Sequence, residues 1–287
     1  MHVLDVPLTF LRDLGGDSLL VGFSCPPVAK DALPGQFIQL RFRSSRSLLL
    51  PRAFSVLAAR DYCSRSAEAD LEILVQVVGE GTRLLARSRP GDRFQIAGPT
   101  GNAFEVPEKT KRLIAVAGGV GVAPLYFLAA HLARTRKDVA VLFLYGGASA
   151  EKLPARDLVA ALPVESLCCT EDGSLGRPGL VTEALVDVLR SVVRSETLVC
   201  ACGPSGMLRA VQEIVRKGRV RCLLSLENYM ACGMGVCQGC VVNVGASDDP
   251  VYERVCRDGP VFDARGVHVV ELPGRNPSRP NTSRETK

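Results

Sequence analysis

Four cysteines near the carboxyl end of the sequence constrain the fold more than any other feature. They are spaced C-x4-C-x2-C, with a fourth after fifteen further residues: Cys232, Cys237, Cys240 and Cys256. This is the plant-type spacing of 2Fe-2S clusters, in which thiolates converge on two irons. Gly233, Gly235 and Gly239 lie between the first three cysteines and allow the tight loop that a cluster requires. We therefore predict a small segment folded around a 2Fe-2S cluster.

A four-cysteine zinc site is the alternative for this segment. Such sites usually contain two paired C-x2-4-C knuckles, and the second pair is missing here because Cys256 stands alone. The cysteines that show no ligand spacing are Cys25, Cys63, Cys168, Cys169, Cys200 and Cys222. Free cysteine is among the most buried residue types, so we expect these to be small buried hydrophobes or incidental thiols.

The amino-terminal sequence has no features of a secretory signal. It lacks a basic region followed by a long apolar stretch, and no later stretch reaches the roughly 18 apolar residues of a membrane span. We therefore expect a cytoplasmic protein, in which eleven cysteines indicate metal or redox chemistry rather than disulfides. A net charge of +5 without a long basic run gives no indication of nucleic-acid or membrane binding.

The pattern of apolar runs changes about one third of the way along the chain. Short β-type runs (FIQLRF, AFSVLA, LEILVQVV and RFQIAG) are separated by proline, glycine or charged segments. They predict an antiparallel β-barrel or sandwich over residues 1–105. From Arg112, apolar strands (LIAVAG, VAVLFLYGG and LVCACG) alternate with helical segments. This alternation predicts a doubly wound parallel sheet over residues 106–218.

Two further segments complete a multidomain α/β plus β organisation. Residues 219–270 are rich in cysteine and glycine. We expect them to form a small domain around the 2Fe-2S cluster, and to need the cluster to hold the domain together. Residues 271–287 contain proline, serine, arginine and asparagine with almost no apolar side chains. We expect them to form a mobile tail.

Two glycine-rich turns follow strands of the predicted parallel sheet and open helices: GGVGVAP at 118–124 and CGPSGM at 202–207. Glycines let the backbone approach a pyrophosphate, and a helix N-terminus presents free amides to it. Ordinary tight turns are the alternative, because the first is not a G-x-G-x-x-G motif. Both turns lie at the edge where doubly wound sheets bind ligands, which favours a nicotinamide dinucleotide. The predicted contacts are Gly118, Gly119, Gly121, Pro124, Cys202, Gly203 and Pro204.

Arg52 and Ser55 form an R-x-x-S pattern in a predicted barrel strand, which by itself is also typical of an exposed strand. Combined with GEGT at 79–82, GPTGN at 98–102 and the two glycine-rich turns, it resembles the ferredoxin-NADP reductase superfamily over nearly the whole chain. Two segments make the resemblance more specific: SLENYMACGMGVCQGCVVN and YERVCRDGPVFDA. They are similar to the electron-transfer subunits of NAD-dependent class B dihydroorotate dehydrogenase.

The resemblance implies that the barrel binds FAD and that the second domain admits NAD. Arg52 would meet the FAD pyrophosphate, and Ser55 would meet the isoalloxazine edge. The family usually has proline after the arginine, and Ala53 departs from that motif. The implied flavin contacts are Arg52, Ala53, Phe54 and Ser55, the backbone of Leu74, Val75 and Gln76, and Gly81 and Thr82 near the phosphates.

The resemblance also implies a partner. Electrons would pass from the FMN of a separate dihydroorotate dehydrogenase catalytic subunit, through the cluster and FAD, to NAD in pyrimidine biosynthesis. The assembly would be a heterotetramer with two copies of each subunit, and no general base is implied in this chain. The rivals are the small subunit of NADH-dependent ferredoxin:NADP oxidoreductase and the flavin subunit of sulfite reductase. A non-enzymatic, zinc-stapled redox sensor is the alternative from a different class.

Overall fold

The amino-terminal part of the chain is a closed barrel of six antiparallel strands in the order β1-β2-β5-β4-β3-β6. Its strands are β1 (His2–Gly15), β2 (Ser18–Phe23), β3 (Phe37–Arg41), β4 (Arg52–Ala59), β5 (Leu71–Gln76) and β6 (Arg93–Thr100). The short helices α1 (Pro26–Asp31) and α2 (Glu80–Ala86) connect them. The computed structural model describes residues 1–42, 48–59, 68–246 and 248–271. The sequence predicted either a barrel or a sandwich. Because the sheet closes on itself, this part of the chain is a barrel.

The middle of the chain forms a seven-stranded sheet in the order β10-β9-β8-β7-β11-β12-β15. Its strands are β7 (Arg112–Gly118), β8 (Ala140–Gly147), β9 (Glu165–Thr170), β10 (Arg177–Pro178), β11 (Thr197–Cys202), β12 (Arg221–Ser225) and β15 (Val261–Asp263). All neighbours pair in parallel except β12 and β15. The central strands β7 and β11 are buried almost throughout because helices cover both faces. This confirms the predicted parallel sheet.

Four helices connect the strands of this sheet: α3 (Val122–Thr135), α4 (Arg156–Ala160), α5 (Val181–Leu189) and α6 (Ser205–Gly218). Helix α3 is apolar almost all round, and Phe127 on it belongs to the core of the barrel. Its other buried side chains join the core of the sheet, as Leu125 and Leu128 do. A helix with this pattern must be covered on every side. Helix α3 therefore fixes the barrel against the sheet.

The cysteine-rich segment contains a small hairpin of β13 (Val241–Asn243) and β14 (Tyr252–Arg254). Val242 and Val255 are buried in the same apolar core as residues of α6 and β12. The predicted domain boundary after Gly218 falls before β12, although β12 and β15 both pair within the seven-stranded sheet. The division into domains stays a prediction, and the sheet extends beyond that boundary.

Cysteines outside the predicted sites fill the interior of the fold. Cys25, Cys169, Cys200 and Cys222 are each at most 1% exposed, and Cys168 is half-buried. Cys63 and residues 272–287 of the predicted tail lie outside the described residues. Of the helices that the structure describes, none has the length and apolar character needed to cross a membrane.

Candidate functional site

The two glycine-rich turns contact each other at the carboxyl edge of the sheet. Strands β7 and β11 are parallel neighbours, with Ala117 opposite Cys202. A Cβ atom added at Gly121 would lie 2.5 Å from the carbonyl oxygen of Cys202. One added at Gly203 would lie 3.0 Å from the Cα of Gly118. The turns thus pack backbone against backbone, and the predicted nicotinamide contacts come together as one structure.

The outer face of this pair of turns is open. A Cβ atom added at Gly119 or at Gly206 would meet no other atom within 4 Å. Helices α3 and α6 begin at the turns, at Val122 and Ser205, so both direct their first-turn amides to this edge. A dinucleotide pyrophosphate requires backbone that can be approached closely, and both turns supply it. It also requires unpaired amides, which the N-terminus of α6 can supply, whereas the Val122 amide of α3 already donates to the carbonyls of Gly119 and Val120.

The side chain of Tyr145 holds the first glycine-rich turn in place. The sequence alone did not identify this residue. This residue of β8 is fully buried, and its hydroxyl donates a hydrogen bond of 3.0 Å to the carbonyl oxygen of Gly119. Burial raises the pKa of the hydroxyl, so it remains a neutral donor at physiological pH. The signal available in the sequence was a single aromatic residue at the end of a strand next to the turn.

Cys202 ends β11 at the junction of the two turns and is 2% exposed. Burial raises the pKa of its thiol to about 12, and a hydrogen bond with the Ser225 side chain offsets the increase only in part. The thiol is therefore neutral at physiological pH and is not an activated nucleophile. Contact of Cys202 with a nicotinamide ring stays a prediction.

The predicted flavin motif lies in the solvent-accessible half of a barrel strand. Residues 52–55 of β4 are exposed or half-buried, whereas residues 56–59 are buried. The neighbouring strand β5 buries the side chains of Leu74 and Val75, so only its backbone and Gln76 are available at the surface. This agrees with the expectation that residues 74–76 use their backbone, although their flavin contacts stay a prediction.

Arg52 lies beside the beginning of α2. A Cβ atom added at Gly81 would be 3.4 Å from the Nε of Arg52, and the guanidinium Nη1 donates 2.7 Å to the carbonyl of Leu50. The structure therefore brings Arg52 and Gly81 together, as a phosphate site requires. The Thr82 hydroxyl is used locally, since it accepts hydrogen bonds from the amides of Val78 and Gly79. A phosphate contact at Thr82 would have to come from its backbone.

The β13–β14 hairpin brings the third and fourth predicted cluster ligands together. Cys240 immediately precedes β13, and Cys256 follows shortly after β14. The amide of Cys256 donates 3.4 Å to the Sγ of Cys240, and both residues are 2% exposed. The pKa of Cys256 is raised to about 12, mainly by burial and secondly by the neighbouring Cys240 thiol.

The first two predicted ligands occupy the preceding loop. The Sγ of Cys232 accepts hydrogen bonds from the amides of Met234 (3.5 Å) and Cys237 (3.4 Å), and Cys237 is exposed. Partial burial raises the pKa of Cys232, but these amides outweigh it and lower the value to about 6. Amides directed at a thiolate fit an iron–sulfur cluster. Among the described residues, however, no three Cys, His, Asp or Glu side chains are grouped closely enough to hold a metal ion.

An ion pair joins the cluster loop to the hairpin. The Arg254 guanidinium contacts both carboxylate oxygens of Asp258, at 2.8 and 3.1 Å, and donates 3.2 Å to the carbonyl of Gly235. The pair holds the pKa of Asp258 below its usual range. Arg254 thus connects the loop that carries Cys232 and Cys237 to the segment that carries Cys256.

We expect Arg254→Lys to weaken retention of the cluster. An ammonium group cannot reproduce the bidentate contact with Asp258 and the bond to Gly235, each a charge-assisted hydrogen bond worth roughly 1.5–3 kcal/mol. Iron release to a chelator, followed by the decay of visible absorbance, should be at least several-fold faster than in the wild type. The exposed pair Arg190–Asp187 provides the control, because Arg190→Lys should release iron at the wild-type rate. Equal rates in both variants would show that Arg254 does not hold the loop.

The cluster segment also contacts the barrel directly. Gln39 on β3 is 3% exposed, and its Nε2 lies 3.6 Å from the Sδ of Met230. A Cβ atom added at Gly233 would be 2.3 Å from the same nitrogen, so the cluster loop rests on this side chain. Gln39 is directly opposite Ala53 in the β3–β4 pairing. The cluster loop therefore lies one strand away from the predicted flavin motif.

Asn102, at the end of the GPTGN segment, makes a second connection between the same two parts. Its Nδ2 donates to the carbonyls of Asp258 (3.0 Å) and Val261 (2.8 Å), and its Oδ1 accepts from the amide of Val261 (2.9 Å). Its own amide donates 2.6 Å to Gly259. A single side chain thus attaches the end of β6 to the segment between Cys256 and β15.

Asn102→Ala should lower the free energy of unfolding by about 2 kcal/mol, because it leaves the Val261 amide and two carbonyls without their partner. Asn102→Asp is the second variant: it keeps the acceptor for the Val261 amide but points a carboxylate oxygen at the two carbonyls, so it should lose at least as much. Urea unfolding followed by circular dichroism measures both. A stability for Asn102→Ala within experimental error of the wild type would contradict this role.

The sequence of this chain is similar to those of known protein families. Residues 227–268 match the model of the iron-sulfur cluster binding domain of dihydroorotate dehydrogenase B, and residues 115–213 match the oxidoreductase NAD-binding domain. The dihydroorotate dehydrogenase B (NAD(+)) electron transfer subunit of Caldanaerobacter subterraneus is 41% identical over 82% of this chain and 86% of that protein. A probable electron transfer subunit of Methanopyrus kandleri is 39% identical over 84% of this chain and 83% of that protein.

Solved structures give the same architecture. The structure described as NADH-dependent reduced ferredoxin-NADP oxidoreductase superposes with a TM-score of 0.79 at 26% identity, covering 92% of this chain and 90% of that chain. A ferredoxin NADP+ reductase from Neisseria gonorrhoeae with bound FAD and NADP gives a TM-score of 0.62 at 18% identity, over 76% of this chain and 92% of that chain. The second similarity concerns the fold alone.

Proposed function

This chain belongs to the family of the dihydroorotate dehydrogenase B electron transfer subunits, and we propose that it delivers electrons from dihydroorotate oxidation to NAD in pyrimidine biosynthesis. The electrons come from a partner catalytic subunit, and this chain carries them by means of a 2Fe-2S cluster and FAD. The observation that carries the proposal is the contact of Gly233 with Gln39, which pairs with Ala53. Cluster loop and flavin motif are neighbours, as efficient electron transfer requires.

The bound groups supply the redox chemistry: FAD exchanges electron pairs with NAD, and the cluster carries single electrons. The chain's own task is to bind and orient them. At the carboxyl edge of the sheet, the first-turn amides of α3 and α6 bind the NAD pyrophosphate, and Tyr145 fixes the carbonyl of Gly119. In the barrel, Arg52 beside Gly81 neutralises the FAD phosphates, and Ser55 donates to the ring edge.

The four cysteines hold the iron, and their surroundings prepare them for it. Amides of Met234 and Cys237 stabilise the Cys232 thiolate, and the buried Cys240 and Cys256 exclude water from their side of the cluster. Arg254 then keeps the loop and the hairpin together. Formation of NADH takes up two electrons and one proton, and we assign no side chain in this arrangement as a general acid or base.

An exposed apolar surface around Cys237 is the proposed docking site for the FMN-containing catalytic subunit. Its members are large apolar side chains from 36% to 76% exposed: Tyr229, Met234, Val236, Val241, Val251 and Tyr252. Exposed apolar side chains grouped in this way mark protein interfaces. Cys237 is exposed in the same loop as Met234 and Val236, so docking here would bring the donor next to the cluster. We place the assembly, with two copies of each subunit, in the cytoplasm, where the free cysteines stay reduced.

The composition of the purified protein tests this proposal. Anaerobically isolated chain should contain about two irons, two sulfides and one FAD per molecule, and should show flavin bands on a broad cluster absorbance. A colourless protein that contains zinc, and that cannot be reconstituted with FAD, iron and sulfide, would contradict the proposal and favour the zinc-stapled redox sensor.

The small subunit of an NADH-dependent ferredoxin:NADP oxidoreductase is the second candidate, and the TM-score of 0.79 favours it. Both candidates would contain the same cofactors, so the substrates must separate them. A chain of the second type would exchange electrons with ferredoxin and NADP in its assembly. One of the first type would depend on dihydroorotate and NAD.

A further inference from the structure

A cavity of about 980 Å³ lies at the amino edge of the seven-stranded sheet. It is bounded by α6, by the first residues of β11 and β12, and by residues 264–269. The glycine-rich turns are at the other end of the same strands, which is about 20 Å away for a seven-residue strand. The cavity, named the basic cavity below, is therefore separate from the proposed NAD site.

The basic cavity has a large net positive charge. Seven lysine and arginine side chains line it, and Glu213 is the single acidic residue among its lining residues. Their formal excess of six positive charges exceeds the +5 of the whole chain. A concave surface with walls of one charge concentrates the electrostatic potential and raises the local concentration of anions.

Two of the seven cations form ion pairs, and after the hydrogen bond from Arg265 the charge of Arg221 also helps to lower the pKa of Asp263. Arg265 pairs with Asp263 at 2.7 Å, and Arg209 approaches Glu271 at 4.0 Å. The other five form no ion pair within the described part of the chain: Lys109, Arg194, Arg216, Arg219 and Arg221. All five are exposed to solvent. Keeping these like charges together lowers stability through self-repulsion, which an anionic ligand would relieve.

Stabilisation of the helix dipole accounts for only part of this arrangement. Arg216 and Arg219 lie at the carboxyl end of α6, where cations are favourable. Lys109 precedes β7, Arg194 precedes β11, and Arg221 begins β12. These three come from separate segments and direct their charge into the same cavity. Three independent contributions from outside the helix indicate a binding surface.

We propose that the basic cavity binds a ligand with several linked phosphates, of the size of a nucleoside triphosphate. Arg209 and Arg216 lie seven positions apart on α6, about 10 Å along its axis, so the positive charge extends over a length that matches several linked phosphates better than one. Guanidinium groups bind phosphate oxygens in bidentate fashion. Pro107 and Val269 also line the cavity and are partly exposed, so they offer an apolar surface for the nucleoside. The volume lies in the range of small-molecule sites.

Calorimetric titration of the full chain, with its cofactors and with saturating NAD+ to occupy the other site, tests the proposal. The probes are ATP, tripolyphosphate and inorganic phosphate. We expect ATP and tripolyphosphate to bind, inorganic phosphate to bind far more weakly, and added salt to weaken both complexes. Tighter binding of ATP than of tripolyphosphate would assign the apolar surface to the nucleoside.

The double variant Arg194→Ser/Arg216→Ser should weaken ATP binding at least about tenfold, because two charge-assisted contacts are lost. Lys30→Ser/Lys137→Ser is the matched control, since it removes the same charge from exposed lysines outside the cavity. NADH-dependent dye reduction should be unchanged in both variants, which shows that they fold. The proposal is wrong if neither polyphosphate binds, or if the two double variants bind ATP equally well.

Discussion

Cys237→Ser removes iron and sulfide from the purified chain and leaves its flavin in place. Serine cannot replace a thiolate ligand of a 2Fe-2S cluster efficiently, so both contents should fall from about two per chain to near zero. Cys237 is the exposed member of the set, and its side chain contributes little to the apolar core, so the fold should remain intact. The proposed flavin site lies on β4 and β5 and does not include this residue.

The Cys237→Ser variant should keep one activity and lose another. Reduction of a dye by NADH requires only the flavin and the nicotinamide site, so it should remain near the wild-type rate. Electron transfer between NADH and a partner subunit requires the cluster and should fall to background. Cys168→Ser, at a half-buried cysteine outside the cluster loop, is the control and should retain both. Full iron content in Cys237→Ser would show that the four-cysteine assignment is incorrect.

Gly121→Ala destabilises the protein by about 3 kcal/mol and abolishes binding of NADH. The added Cβ would lie 2.5 Å from the carbonyl oxygen of Cys202 and 2.7 Å from the amide nitrogen of Gly203. Both atoms are backbone and cannot rotate away, so the two glycine-rich turns must separate. The backbone angles of Gly121 suit any residue, with φ at −63°, and the effect is therefore one of packing alone.

Gly206→Ala is the matched control for this substitution. A Cβ atom at Gly206 meets nothing within 4 Å, and alanine is the better residue in a helix by about 1 kcal/mol. Its unfolding midpoint in urea should equal or exceed that of the wild type, whereas that of Gly121→Ala should be lower. Equal midpoints for the two variants would mean that the turns do not pack as closely as the structure indicates.

The sequence predicted the parts of the fold that depend on local pattern. Alternating apolar runs and glycine-rich turns indicated the barrel and the parallel strands, and the order of motifs indicated the family. Strands β12 and β15 were not predicted as parts of the sheet. Strand β12 was assigned to the cluster segment, and the antiparallel edge strand β15 is only three residues long and pairs with a partner distant in sequence.

Several important contacts could not be predicted, because they also join residues that are far apart in the sequence. Tyr145 supports the first turn from a neighbouring strand, and Asn102 joins segments that lie 156 residues or more apart. Gln39 was an unremarked residue of a barrel strand, yet it contacts the cluster loop. The basic cavity collects charges from five separate segments of the chain. Only the folded arrangement shows which of these distant residues meet.

Dihydroorotate-dependent reduction of NAD+ by the reconstituted complex tests the account most directly. The purified chain, loaded with FAD and cluster, is mixed anaerobically with an FMN-containing dihydroorotate dehydrogenase catalytic subunit, and NADH formation is followed by absorbance. We predict formation of NADH only when both subunits are present, and none when Cys237→Ser replaces the wild-type chain. A fully loaded chain that forms no complex and no NADH with dihydroorotate, but exchanges electrons between ferredoxin and NADP, would contradict the account.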